Sequence, residues 1–439
     1  MSMCLNRRIN ILVCPFGDLN LLTFLFELLD AKFPDKYSVT FISFMEYDKL
    51  IYSTINRDQI HISPGTREEW FDSNDLDEVC RFTLGLSRYH GILESNDYFQ
   101  RVANHYGAQI SKIIDSRNID QVVLFNGRLN LFIACLDKVA ERSGIPRLIF
   151  EQGLFRPLWI TIDGQGVNAR NSIKTSEDLH SPEPFEFQQR ELYKDLLSLL
   201  PIDRDKIPDF KRKMPLFSLM RAYGSSKLRP RRDLFFRNAE NEELLEAAVL
   251  SHKPKRCRQP LKTLDELRCN NDYQYILCPF QVETDTQIIL HSPWISSMSQ
   301  LVNVMYEVVS RLNVEGFKVK VLFKAHPMSN NAVRVSHPHA ALIEDVPMPE
   351  VFRVLRPLVV TINSTAGIEA VEAGLPVITL GEAFYNLPNV ILGYCDNVNS
   401  LQKLLLKFYQ GEIECRPEIK LEFIQSLRSK YQVLAYQND

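Results

Sequence analysis

The chain has 439 residues, 45% of them hydrophobic and 24% charged, with a formal net charge of -3. That length exceeds what one core usually serves, so two domains of roughly 200 residues each are expected, and the composition excludes a disordered or fibrous chain. The charge balance gives no reason to expect nucleic acid as a partner, and nine cysteines without Cys-x-x-Cys spacing exclude a disulfide framework and a structural zinc site.

Taken in chain order, Ile9 to Cys14 reads as a short buried strand that ends at Pro15-Phe16-Gly17-Asp18. It is too short for a signal or membrane helix, and no apolar stretch of about 18 residues occurs elsewhere, so a cytoplasmic protein with at most peripheral membrane contact is expected. Leu21 to Leu29 has helical character and Tyr37 to Phe44 is strand-like. Tyr98 to Arg117 reads as an amphipathic helix, Gln121 to Phe125 as a buried strand, Leu129 to Ser143 as a helix and Arg147 to Glu151 as a strand. Strand and helix in turn imply a parallel sheet covered by helices.

From about 175 to 265 the chain is polar and proline-bearing and breaks the alternation, which reads as an insertion and linker. Within it, Lys211 to Arg237 carries nine basic residues and the single acid Asp233, with apolar residues interleaved. Such a stretch suits a membrane surface or an acceptor, or forms a solvated loop. A second series follows: Tyr273 to Cys278, Phe317 to Phe323, Leu358 to Ile362 and Val377 to Leu380 as strands, with Ser296 to Leu312, Val346 to Leu355 and Thr365 to Ala373 as helices. The expected fold class is therefore α/β, with two Rossmann-like domains facing across a cleft in the GT-B manner. Residues 1–265 form the first domain, 266–415 the second, and 416–439 a helix packing back across the junction. No Walker loop and no Gly-x-Gly-x-x-Gly follows the first strand, which lowers the nucleotide hydrolase and dehydrogenase readings.

Two turns carry candidate chemistry. Lys324-Ala325-His326-Pro327 follows the apolar run Val319 to Phe323, and residues at the carboxyl end of a parallel strand face the ligand crevice. Lys324 and His326 are placed to meet an anion there, with Pro327 fixing the turn, and a turn histidine with no ligand is the plain reading of His326. His337-Pro338, the same dipeptide without a strand before it, reads as an ordinary turn. The second site is Thr361-Ile362-Asn363-Ser364-Thr365-Ala366-Gly367, where Ser364 or Thr365 caps a helix whose amides favour phosphate. Asp75-Leu76-Asp77 and Asp203-Arg204-Asp205 match a metal-binding string, but neither follows a buried strand, and both read as solvated. No metal is expected.

Asn363 to Gly367, Ala373 to Val377, Leu380 to Tyr385 and Lys324 to Pro327 together resemble the C-terminal signature of the bacterial capsule polysaccharide synthesis and export family. Cys278 to Ile288, and Phe150 to Pro157 followed by Ile160 to Asp163 and Gly166 to Asn168, resemble further blocks of that family. The resemblance runs in order from Val122 to Val390. It implies a retaining Kdo glycosyltransferase that uses CMP-Kdo as donor in capsule or O-antigen assembly, with a glycan or lipid-linked acceptor and contact with the inner membrane or an assembly complex.

That activity needs a carboxylate nucleophile and an acid/base partner. Glu151, at the end of its strand, is the candidate acid/base. Gln152 stands where some relatives carry an acid, so Asp233, flanked by Arg231 and Arg232, is the candidate nucleophile, with a surface ion pair as its plain reading. Gln281 and Asp285, after the first strand of the second domain, are placed to meet ribose, base or the Kdo carboxylate. Lys324, His326, Pro327, Asn363, Ser364 and Thr365 complete the donor set. Arg128 and Arg156 either hold a donor or acceptor carboxylate or brace the domain interface. Another GT-B sugar-nucleotide transferase, an epimerase, or a non-catalytic capsule assembly factor are the competing readings.

Overall fold

The computed structural model describes residues 7–16, 18–44, 58–66, 68–89, 96–128, 130–155, 157–175, 184–208, 262–268, 272–326 and 333–437. These fall into two units. One draws on Met1–Val167, Ser181–Glu246 and Lys430–Asp439, the other on Asn168–His180 and Ala247–Ser429.

In the first unit, runs of Val, Ile, Leu and Phe too apolar on both sides for a one-faced sheet form β1 (Ile9–Cys14), β2 (Tyr37–Ser43), β4 (Gln121–Phe125) and β5 (Arg147–Gln152), and the short, half-buried edge strand β3 (Gln59–His61) joins β2, all parallel. A hairpin returns β5 as the antiparallel β6 (Trp159–Asp163). Along β4 successive residues serve opposite faces. Val122 and Leu124 join the core under helices Asn96–Arg117 and Leu131–Arg142, while Val123 and Phe125 join the core under helix Leu19–Lys32.

The second unit repeats the plan with β7 (Gln274–Pro279), β8 (Val319–Lys324), β9 (Ala340–Ile343), β10 (Leu358–Thr361), β11 (Val377–Thr379) and β12 (Gly393–Tyr394), all parallel. Its order, β9-β8-β7-β10-β11-β12, is that of a doubly wound nucleotide-binding sheet, and β3-β2-β1-β4-β5-β6 repeats it in the first unit. The expectation of two Rossmann-like α/β halves is met.

The end of the chain differs from the single helix expected over 416–439. Helix Pro417–Ser426 stays with the second unit, where the Lys420 ammonium, buried, donates to the Leu375 carbonyl. A five-residue π turn, Leu427–Tyr431, then leads into β13 (Gln432–Leu434), which adds to the first sheet antiparallel to β6. Residues 168–175 likewise belong with the second unit although they follow β6 directly. Among the described residues, no helix is long and apolar enough to cross a membrane.

Candidate functional site

At the switch point of the second sheet, β7 and β10 are neighbours and the chains leaving them run to opposite sides. After β7 the chain turns into helix Thr286–His291, capped by Asp285, whose Oδ1 accepts from the Gln287 amide at 2.9 Å. After β10 it turns into helix Thr365–Glu372, capped by Ser364, whose Oγ accepts from the Ala366 amide at 3.2 Å. A hydroxyl used as acceptor keeps its hydrogen to donate. Thr365, the first residue of that helix, is exposed.

Gln281 and Asn363, expected to touch the donor, are instead spent on joining these two turns. Gln281 Nε2 donates to Asn363 Oδ1 at 3.0 Å, and the Asn363 amide donates back to Gln281 Oε1 at 3.2 Å. Asn363 Nδ2 donates to the carbonyls of Gln287 at 2.8 Å and His291 at 3.2 Å. Gln287 Nε2 donates in turn to Asn168 Oδ1. Four carboxamides thus run from the segment after β6 through both turns, and they set the shape of the site. Asp285 likewise spends one oxygen on its cap and is exposed.

Gly367 and Tyr385 explain each other. The buried Tyr385 hydroxyl donates to the Ser364 carbonyl at 2.7 Å, passing where a Cβ on residue 367 would lie 2.3 Å from its oxygen. Gly381 admits the His291 carbonyl in the same way, at 2.9 Å from its ideal Cβ. Gly367 and Gly381 are therefore packing requirements of the switch-point turns.

Lys324 ends β8 and is only 9% exposed. Burial holds its ammonium below the ordinary pKa, against the opposing pull of Asp345 and Glu369. Among the described residues that ammonium makes no hydrogen bond or ion pair. Burying an uncompensated charge is costly, and an anionic ligand would offset the cost. Two residues on, burial pushes the His326 imidazole below its usual value, with Asp285 pulling it up and Lys324 pushing it further down. His326, Lys324 and Asp285 therefore share one electrostatic neighbourhood. His337, by contrast, stacks on Tyr306 with centroids 4.6 Å apart and pairs with Ser310 at 3.1 Å, a structural role.

In the first unit Glu151 is half-buried on β5, opposite Thr161 of β6. Arg128, expected to hold a ligand carboxylate or brace the domain interface, is instead spent inside the first unit. Its Nε donates to Asp137 at 2.8 Å and its guanidinium pairs also with Glu78, tying helices Ser73–Tyr89 and Leu131–Arg142 together. Burial lowers its pKa, and Asp137 and Glu78 more than offset this, so its donors are spent on protein carboxylates. Asp75 is not solvated but pairs with Lys138 at 3.2 Å and Arg142 at 2.5 Å, while Asp203 caps the turn Arg204–Lys206. Arg156, Pro327, Asp233 and the basic stretch 211–237 lie outside the described residues.

The sequence reading passed over Asp163 and Tyr431. Asp163 is fully buried and accepts from the Gln165 amide at 2.6 Å, the Gly166 amide at 3.0 Å and the Tyr431 hydroxyl at 2.6 Å. A carboxylate closing the run Ile160-Thr161-Ile162-Asp163 was the available signal. Nothing in the sequence pairs it with a residue 268 positions later.

The family described as capsule polysaccharide biosynthesis protein matches this chain over residues 122–179 and 252–392. Protein FixF of Sinorhizobium fredii (strain NBRC 101917 / NGR234) is 36% identical over 121 residues, 27% of this chain and 29% of FixF. The capsule polysaccharide export protein KpsS of Escherichia coli is 27% identical over 297 residues, 64% of this chain and 69% of KpsS. Among solved structures, the Thermosulfurimonas dismutans KpsC beta Kdo 2,7 transferase aligns with 77% of this chain and 89% of its own at 16% identity and a TM-score of 0.32. The chain thus spans under a third of FixF and just over two thirds of KpsS.

Proposed function

We propose that this chain, which carries the capsule polysaccharide biosynthesis family's sequence over residues 122–179 and 252–392, is a glycosyltransferase that moves Kdo from CMP-Kdo to a glycan or lipid-linked acceptor. The observation that carries the reading is the buried Lys324 ammonium at the carboxyl end of β8, which makes no hydrogen bond or ion pair among the described residues and feels Asp345 and Glu369 only at longer range. Beside it lies His326, and the Ser364-capped helix starts from the end of β10. Lys324, His326, the Ser364 hydroxyl and the first amides of helix Thr365–Glu372 would take the charge that develops on the departing CMP phosphate. Fixed cations and amides can do this without a bound metal.

In the proposed reaction Asp233 attacks the anomeric carbon as the bond to CMP breaks, and CMP leaves with the electron pair. The acceptor hydroxyl then displaces the aspartyl ester, giving its proton to Glu151. Two inversions retain configuration. Membrane contact through 211–237 belongs to the same proposal.

The test is incubation of purified protein with CMP-Kdo and a chelator. CMP release is expected, with intact-mass spectrometry showing one added Kdo on wild type and none on Asp233→Ala. UDP release from UDP-N-acetylglucosamine, with CMP-Kdo untouched, would replace this reading by that of another sugar-nucleotide enzyme. Turnover of neither donor would leave the assembly-factor reading.

A further inference from the structure

We propose that the start of helix Leu131–Arg142 is an oxyanion-binding site, in which the Asn130 carboxamide nitrogen and the first amides of the helix hold a carboxylate or phosphate group of the acceptor. That the ligand is an acceptor rests on the transferase reading; the site itself does not. In the first sheet β1 and β4 are neighbours, and the helices that follow them cover opposite faces, since Leu21 and Leu25 join one core and Leu131 and Ile133 the other. Helix Leu131–Arg142 therefore begins at the switch point of its unit, where an open α/β sheet takes ligands. β4 is also the direct neighbour of β5, the strand that carries Glu151.

Asn130 caps this helix and is only 5% exposed. Its Oδ1 accepts from the Ile133 amide at 2.9 Å. An amide donates only to the oxygen of a carboxamide, so the orientation of the side chain is fixed and Nδ2 is its other end. That nitrogen is buried and meets no hydrogen-bond acceptor among the described residues. A cap oxygen bonded to the third residue of a helix brings the whole carboxamide against the first turn, where the Leu131 and Phe132 amides have no acceptor within the helix. Nδ2 and these two amides are all donors. Buried donors without acceptors are unfavourable, and the positive end of the helix dipole selects an anion to meet them. Arg128, two residues before the cap, is already neutralised by Asp137 and Glu78, so the preference for an anion comes from neutral groups. The helix on the other face differs. Leu19–Lys32 is capped by Asp18, whose own carboxylate meets the Leu21 amide at 3.0 Å and supplies the negative charge from within the chain.

Aspartate and serine cap helices as well as asparagine does, so Asn130→Asp and Asn130→Ser keep the cap and remove the Nδ2 donor, and the aspartate adds a repelling charge. Urea melts check that both stay folded. With isotope-labelled asparagine in the full chain, the Asn130 side-chain amide signal is the one missing from Asn130→Ser. Adding Kdo or glycerol phosphate, with CMP present throughout to keep the second unit's site occupied, should shift that signal saturably. A response to Kdo alone assigns a carboxylate, a response to glycerol phosphate alone assigns a phosphate, and a response to both assigns their shared oxyanion chemistry. By calorimetry, affinity for the responding probe should fall about 10-fold or more in Asn130→Ser and further in Asn130→Asp. The functional reading fails separately: an Asn130 response in a protein that turns over no CMP-Kdo removes the transferase and keeps the oxyanion site. An unmoved wild-type signal with both probes, or equal affinity in wild type and both folded variants, overturns the site and leaves Asn130 a structural cap.

Discussion

Lys324 and His326 both hold a charge-bearing group against burial, and that shapes what their replacement should do. Lys324→Met removes a buried cation without an ion-pair partner among the described residues, so the ligand-free protein should be as stable as wild type or more stable by about 1 kcal/mol, while CMP affinity falls. Urea melts and calorimetry read the two sides separately, and a strongly destabilised variant would assign Lys324 a structural role. His326 lies below its ordinary value of 6.5. Between that depressed value and 6.5 the unfolded chain holds the extra proton, so its contribution to stability is fully present above about 6.5 and is lost as pH falls through the folded value. A phosphate beside the imidazole reverses the pressure on it, so CMP binding near pH 6 should take up protons. Calorimetry in two buffers of different ionisation enthalpy measures this uptake. It should vanish in His326→Ala, and equal uptake in both proteins would remove His326 from the phosphate site.

At the scale of elements, the sequence patterns locate most of the strands because each is a buried apolar run, from Ile9–Cys14 to Val377–Thr379. They locate the two turns after β8 and β10 for the same reason: polar and small residues interrupt those runs abruptly. What they miss depends on long-range pairing. β13 is three residues long and reads in the sequence as part of a helix, since only its pairing with Trp159–Thr161 makes it a strand. Arg128 reads as a ligand-binding cation until Asp137 and Glu78 are brought beside it by two helices. Gln281 and Asn363 read as ligand contacts because a sequence does not tell a carboxamide facing a partner loop from one facing a cleft. Gly367 is the opposite case, legible as a motif and explained by the Tyr385 hydroxyl. Gly367→Ala should therefore cost about 1–3 kcal/mol in urea unfolding, and the added substitution Tyr385→Phe should recover part of it. Additive losses would mean that the two residues are not coupled through this contact.

At the scale of the molecule, the candidate residues are divided between two sheets of the same strand order. The first unit carries Glu151, and the second carries the switch-point turns with Lys324 and His326. The chain links the units more than once, since residues 168–175 and the segment through helix Pro417–Ser426 belong with the second unit while β13 belongs with the first. If the phosphate site is a property of the second unit, Glu151→Gln should leave CMP affinity within twofold while abolishing transfer. The most direct measurement is titration of CMP, in the presence of chelator, into wild type, Lys324→Ala, His326→Ala and Ser364→Ala. Wild type should bind, and each variant should lose about 10-fold or more, as expected for removal of a hydrogen bond or charge to phosphate. Wild-type affinity in all three variants would contradict a nucleotide phosphate at the ends of β8 and β10.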